Sequence, residues 1–548
     1  MGARGGEAWA LTSDEDGVQG YEFSPDGRRL AYTSQGVEPK ALKERKEKYG
    51  EMEVVDGDAR YAHLWVLEVP AEAGVKGKAE QVTSGEEYTV QQFRWSPDGT
   101  RIAFSATKDG AMSHGHTADI YALSLGDKAV KKMVSTAGPD TNPVWSPGGE
   151  YIAYTTANGE EYDYYKNSRI AMVRAGGGEP QVLTAGFDEE PNVLAWSDAG
   201  IWFAAMQKTH AWVFLLNTAT GKWARAMGDE GFSLMGGSFS RDYRKAALIG
   251  TRVNGYSEVY VAAVAPFAPR AITDLGAQYK EFTPANREVI RWQSKDGAVI
   301  EGVLIKPADF VAGKRYPLLV VIHGGPTGVD RPWRTADRTY PIEQFAAKGA
   351  LVLRPNYRGS AGYGEAFRSL NVRNLGVGDQ WDVESGVDFL VKQGLVDGQR
   401  VGAMGWSQGG YISAFLATNS TKFKALSVGA GISDWMTYYV NTDIHPFTRQ
   451  YLKATPWDDA AVYAKTSPIT NIKQAKTPVL IQHGENDKRV PIPNAYELYQ
   501  GLRDVGVEAR MVVYKGFGHG ITKPKQQRHV MEENLSWFAR WIWGEGAR

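Results

Sequence analysis

The sequence predicts an α/β fold class with an all-β domain in front of it: a β-propeller over residues 1–287, then a doubly wound, mostly parallel α/β sheet over residues 288–548. Three observations predict this. An aromatic-Ser-Pro-Asp-Gly string recurs through the first half, short buried strands alternate with amphipathic helices through the second, and 548 residues exceed one ordinary core.

The recurring string is Phe23-Ser24-Pro25-Asp26-Gly27, Trp95-Ser96-Pro97-Asp98-Gly99, Trp145-Ser146-Pro147-Gly148-Gly149, Trp196-Ser197-Asp198-Ala199-Gly200 and Phe239-Ser240-Arg241-Asp242-Tyr243. Each copy is followed by a short apolar stretch such as Arg101-Ile102-Ala103-Phe104, which makes a strand, a Pro-Asp-Gly type turn and a second strand. Further strands such as His63 to Leu67 and Glu258 to Val261 lie between the copies. Four short strands per unit, at spacings of roughly 40 to 50 residues, are the grammar of a propeller rather than of an all-β sandwich. Five signatures are fewer than a closed ring usually takes, so either blades without the signature complete it or residues precede this amino end. The charged stretch Pro39 to Tyr49 breaks the first repeat and is expected to be a solvated, helical insertion.

After Arg287 the pattern changes. Glu288 to Lys306 forms a hairpin turning at Lys295-Asp296-Gly297. Buried strands are expected at Leu318–Ile322, Leu351–Leu353, Val401–Met404, Ala425–Val428, Val479–Gln482 and Met511–Tyr514, with helices at Trp381–Gln393 and Asn494–Val505 between them. Ligands of such sheets bind at the carboxyl ends of the strands.

The bulk numbers exclude several classes. Lys+Arg 62 against Asp+Glu 63 leaves a net charge of -1, so nothing favours nucleic acid or an anionic membrane. The absence of cysteine excludes disulfides, thiolate chemistry and cysteine zinc sites. Met1 to Ala10 lacks the pattern of a signal peptide and no stretch approaches a membrane span, which makes a cytoplasmic enzyme the expectation.

Gly405-Trp406-Ser407-Gln408-Gly409-Gly410 fits the G-x-S-x-G nucleophile elbow, between a predicted strand and the apolar helix that begins near Tyr411. A serine hydroxyl needs a base and a carboxylate to orient that base. In an α/β-hydrolase they follow in the order Ser, Asp/Glu, His. Asp487, after the strand Val479–Gln482, is the expected acid, with Glu485 its competitor. His519, between Gly518 and Gly520 after the last strand, is the expected base. His483, His529 and His445 fit that place less well. The oxyanion donors are expected at the N–H of Gln408 and in the loop His323-Gly324-Gly325-Pro326.

Together with Asn356-Tyr357-Arg358-Gly359-Ser360, Gly362-Tyr363-Gly364 and Asp487-Lys488-Arg489, these strings resemble the prolyl oligopeptidase family of serine peptidases, and the His-Gly-Gly-Pro form resembles its acylaminoacyl peptidase branch. The resemblance implies cleavage of short or acylated peptides by an acyl-enzyme on Ser407, without metal or cofactor, at a site between two domains whose propeller restricts access by size. It implies that Arg489 holds a substrate carbonyl. Trp435 and Tyr438, after the strand that follows the elbow helix, are candidates to line the pocket. A carboxylesterase and a dipeptidyl peptidase are the rival readings. Glu86-Glu87, Glu160-Glu161 and Glu189-Glu190 lack the context of a paired-glutamate site for a free amino terminus and are expected to be solvated turns. An incomplete propeller exposes strand edges, which makes a homo-oligomer an expectation.

Overall fold

A computed structural model describes residues 5, 7–14, 16–35, 38–55, 58–334 and 337–546. The chain divides into two compact units, one of Met1–Asp163, Asn167–Ala204 and Phe214–Ala224, the other of Tyr164–Lys166, Ala205–Val213 and Arg225–Arg548.

The first half holds five four-stranded sheets, and in each the neighbouring strands are neighbours in the chain. One sheet accompanies each signature, and no further four-stranded sheet occurs among the described residues. The signature explains itself locally. The Ser24 hydroxyl donates to the Asp26 carboxylate at 2.6 Å, the Gly27 N–H closes the turn on the Ser24 carbonyl at 2.8 Å, and Gly27 takes a φ of +71°. The same bonds recur at Ser96, Asp98 and Gly99.

The aromatic and the following arginine look outward from the turn. The Trp95 indole N–H donates to the Glu22 carbonyl of the preceding sheet, and that of Trp145 donates to the Arg94 carbonyl, both at 3.1 Å. Arg29 donates to the Gly99 carbonyl of the next sheet while lying 5.0 Å from the Trp95 ring centroid. Arg101 does the same with Gly149 and Trp145. The second signature thus joins its own sheet to both neighbours, and the first and third meet it by the same pair of contacts. Buried Leu64, Phe93, Ile102 and Phe104 fill the space between the first and second sheets, and Ile120, Trp145, Ile152 and Val173 that between the second and third.

The charged insertion is a helix, Lys40–Tyr49, with no buried residue, as its composition predicts. Of the glutamate pairs, Glu86-Glu87 and Glu160-Glu161 are exposed, whereas Glu189 is buried, which corrects the expectation of a solvated turn there.

The second half is built on one eight-stranded sheet: β1 (Asn286–Gln293), β2 (Val299–Lys306), β3 (Tyr316–Ile322), β4 (Leu351–Asn356), β5 (Val396–Trp406), β6 (Ala425–Gly429), β7 (Val479–Gly484) and β8 (Ala509–Tyr514), in the order β1-β2-β4-β3-β5-β6-β7-β8. β1 pairs with β2 and β2 with β4 antiparallel; every other pairing is parallel. β3, β6 and β7 are buried along their whole length, the pattern of strands covered on both faces. The C-terminal helix Pro524–Trp543 brings Trp537, Phe538 and Ile542 onto Leu319, Val321, Met404 and Leu480. Helix α1 (Val377–Lys392) buries Val383, Val387 and Leu390, and helix α2 (Gln408–Asn419) is buried over its first eleven residues. Among the described residues no helix is long and apolar enough to cross a membrane.

Candidate active site

Three turns at the carboxyl ends of β5, β7 and β8 carry Ser407, Asp487 and His519. Ser407 stands between β5 and α2 with φ +62° and ψ −121°, a conformation that non-glycine residues rarely adopt, and its N–H is held by the Gly429 carbonyl at the end of β6 (2.9 Å). The glycines around it serve close approach. A methyl on Gly405 would collide with the backbone of Gly409, one on Gly409 with the Ile322 carbonyl at the end of β3, and one on Gly410 with the Gly429 carbonyl. No larger residue fits where β5 hands over to α2.

His519 Nε2 lies 2.9 Å from Ser407 Oγ, and His519 Nδ1 lies 2.8 Å from Asp487 Oδ2. A carboxylate only accepts, so Nδ1 carries the proton and Nε2 is free to accept from the serine. Asp487 Oδ1 accepts from the N–H groups of Arg489 (2.9 Å) and Val490 (3.0 Å), which fixes the carboxylate against the imidazole. Burial pushes the Asp487 carboxyl upward, but hydrogen bonds from His483, His519 and Val490 overcome this and hold it well below the usual carboxylate range. Glu485, the rival acid, is paired with Lys515 at 2.8 Å instead. His483 is fully buried, with Nε2 on the Val490 carbonyl at 2.7 Å and 3.5 Å from Asp487, so it supports the acid loop from behind. The Trp406 indole N–H donates to the His519 carbonyl (2.8 Å), tying the loop of the base to the elbow.

The glycine loop after β3 lies against the serine. A methyl on Gly324 would sit 3.2 Å from the Trp406 carbonyl oxygen and 3.4 Å from Ser407 Cβ, and Gly325 takes a φ of +138° open only to glycine. Gln408 is the first residue of α2, so its N–H has no partner within the helix. The Gln408 side chain is buried beside the carboxyl of Asp379 on α1, whose pKa burial raises to about 7 against the opposing pull of the Gly376 N–H.

Side chains that the sequence did not mark for this purpose hold the loop in place. His323 donates through Nδ1 to the Gly324 carbonyl (2.8 Å), faces the Ser360 hydroxyl through Nε2 (3.0 Å) and stacks on Tyr357 at 4.4 Å. Burial lowers its pKa, which keeps the ring neutral in this role. The Tyr357 hydroxyl donates to the His323 carbonyl at 3.0 Å. Arg358, 1% exposed, grips Asp382 on α1 and Asp296 in the β1–β2 turn, both through paired bonds. The string from Asn356 to Ser360 is therefore the brace of the glycine loop after β3.

The remaining candidates differ in exposure. The Arg489 guanidinium is partly open and paired with Asp443 at 2.8 Å. Trp435 and Tyr438 are 0% and 2% exposed; the Trp435 indole N–H donates to the Thr466 carbonyl, and the ring packs on Tyr411, Tyr438 and Phe447.

Residues 338–545 match the family described as the prolyl oligopeptidase family. The match takes in Ser407, Asp487 and His519, and with the relatives that follow it supports a serine hydrolase of peptidase type. Beyond this domain, a dipeptidyl-peptidase 5 of Porphyromonas gingivalis is 26% identical over 96% of this chain and 80% of its own length. An acylamino-acid-releasing enzyme of Arabidopsis thaliana is 30% identical over 42% of this chain and 31% of its own length. A solved acylaminoacyl peptidase in complex with Z-Gly-Gly-Phe-chloromethyl ketone superposes with a TM-score of 0.81 at 22% identity, covering 97% of this chain and 82% of that one, and so shares the fold of propeller and α/β-hydrolase. The family match over residues 338–545 and the shared fold thus agree with what the motifs imply.

Proposed function

We propose that Ser407 is the nucleophile, His519 the general base and Asp487 the orienting acid of this peptidase, acting on short peptides whose amino end is blocked or lies beyond the cut. Ser407 Oγ attacks the scissile carbonyl carbon as its proton passes to His519 Nε2. The carbonyl oxygen becomes negative and is met by the N–H of Gln408 and by the backbone of Gly324 and Gly325. The imidazolium then gives its proton to the leaving amine, and the acyl group remains on Ser407 until a water, deprotonated by the same imidazole, releases it. Arg489 donates to a carbonyl on the acyl side of the cut, and Trp435 and Tyr438, enclosed as they are, shape the wall behind the substrate. The working division is a propeller of residues 1–287 and a catalytic domain of residues 288–548.

The unbroken chain Ser407–His519–Asp487, at 2.9 and 2.8 Å, carries this reading. The relative named dipeptidyl-peptidase, which matches almost the whole chain, favours a second reading in which a free amino terminus is recognised. Hydrolysis of four substrates separates them: an acetylated amino-acid anilide, a free-amino dipeptidyl anilide, an internally quenched peptide and a nitrophenyl ester, each with the native protein and with Ser407→Ala. Fast cleavage of the blocked and internal peptides, lost in the variant, is the expected result. Preference for the free-amino substrate moves the assignment to dipeptidyl peptidase, ester turnover alone to carboxylesterase, and activity that survives Ser407→Ala ends the proposed mechanism.

A further inference from the structure

A cavity of about 830 Å³ lies within the second compact unit, lined by the loop that continues from the oxyanion glycines, by the Tyr256 to Arg287 region and by the C-terminal helix. Its volume is that of sites that enclose a small organic molecule. Five arginines line it. Four of them are engaged: Arg287 with Glu343, Arg354 with Asp330, Arg528 with Glu532, and Arg334 with the Asn254 carbonyl.

Arg331 is different. Its guanidinium lies 4.2 Å from the Trp333 ring centroid, and among the described residues it makes no ion pair and no side-chain hydrogen bond. Burial lowers its pKa to about 10, offset only by the charge of Asp330 next to it, so it remains a cation at neutral pH. A half-buried charge without a partner is costly, and a stacked guanidinium keeps its N–H edge open to a planar acceptor. Aromatic side chains make part of the wall: Tyr256 and Tyr279 stack at 4.6 Å, and Phe282 is 70% exposed.

The position of Arg331 is fixed in advance. Asp330 donates its N–H to Asn356 Oδ1 (2.7 Å) and accepts from Asn356 Nδ2 at its carbonyl (3.0 Å), so the residue before Arg331 is locked to the end of β4. Charge also narrows the occupant. Carboxylates of Glu281, Asp337, Glu343 and Glu532 share the wall, which disfavours a dianion such as phosphate, while one unspent guanidinium suits a single negative charge.

We propose that this cavity binds a small amphipathic monocarboxylate, the free carboxyl end of an aromatic amino acid or short peptide, with Arg331 receiving the carboxylate and Trp333, Tyr256 and Tyr279 the apolar body. The site stands apart from the chemistry of Ser407 and holds whether or not that serine is the nucleophile.

The test is calorimetric titration of the full-length Ser407→Ala protein with N-acetyl-L-phenylalanine, N-acetyl-L-phenylalaninamide and inorganic phosphate. The acid is expected to bind at least tenfold more tightly than the amide, Arg331→Gln to bring the acid down to the level of the amide, Arg331→Lys to retain part of the difference, and phosphate to leave the acid's affinity unchanged. Equal binding of acid and amide overturns the proposal, as does acid binding that Arg331→Gln leaves untouched, since the ligand then sits elsewhere. Equal binding of acid and amide needs no variant in the cavity, so the proposal can be overturned even where Arg331→Gln fails to fold, and Arg331→Lys then places the acid.

Discussion

Two kinds of glycine-bearing turn occur in this chain. At Phe23–Gly27 in the propeller the glycine itself takes the positive φ, and a methyl there would meet nothing within 4 Å. At Gly405–Gly410 the positive φ belongs to Ser407, and Gly405, Gly409 and Gly410 are needed because backbone from β3, β6 and α2 passes where a methyl would go. The first turn is decided by its own five residues, the second by distant segments that converge on it. Sensitivity to substitution should therefore be mild and confined to stability in the one, and severe and catalytic in the other.

The largest effect should come from the group that only the tertiary fold brings to the elbow. Asp487→Asn leaves the shape of the loop but removes the anion that fixes the His519 tautomer, and is expected to lower kcat by about 10⁴-fold with little change in KM. Steady-state kinetics on the best substrate of the panel checks it, and a loss below tenfold would break the contrast drawn above.

Gly409→Ala comes next. The added methyl meets the Ile322 carbonyl, and the protein is expected to lose about 3 kcal/mol or more of stability along with its activity, read by denaturant titration and by burst amplitude. A variant of native stability would show that the elbow has room that its geometry denies.

Asp379 sharpens the comparison through pH. Its folded pKa is raised to about 7, so between pH 4 and 7 the folded protein holds a proton that the unfolded chain has lost. This carboxyl therefore lowers stability progressively as pH rises through that window and adds no further change above it. Asp379→Asn removes the ionisation, and the fall in Tm from pH 5 to pH 8 is expected to be smaller in the variant than in the native protein. Parallel pH profiles of Tm would rule out Asp379 as the titrating group behind Gln408.

The smallest effect belongs to the propeller turn. Gly27→Ala is expected to cost about 1 kcal/mol, for the left-handed φ alone, and to leave kcat/KM unchanged. Thermal denaturation and the standard assay measure both.

The same contrast governs what the sequence made legible. The five signatures foretold five sheets because each signature closes its own turn. The hairpin turning at Gly297 and the exposed helix Lys40–Tyr49 were legible for the same reason, since each rests on residues close in the chain, whereas Ser407, Asp487 and His519 were each marked by their own local string and joined only by the chain order of the resemblance. β5 begins at Val396 rather than Val401, because polar Asp397 to Arg400 lacks a strand pattern and joins the sheet only where Val396 pairs with Tyr316. α1 begins at Val377 rather than Trp381, since Gly376 and Gly378 look like loop until Arg358 and Tyr411 pack against them. Ser360 and Tyr357 were visible as a motif, but their partner His323 is more than thirty residues away, and no local pattern reports such a bond. Trp435 follows β6 as a pocket residue would, yet full burial is a property of the packed whole.

The propeller signature carries one further consequence, for descent rather than for stability. Its indole reaches the unit before and its arginine the unit after, by the same two bonds at successive junctions. Duplicating the second unit would create a junction chemically like the two that flank it. A whole repeat can thus be inserted at these junctions without new junction chemistry, while the elbow, which depends on backbone from several strands at once, permits no comparable edit.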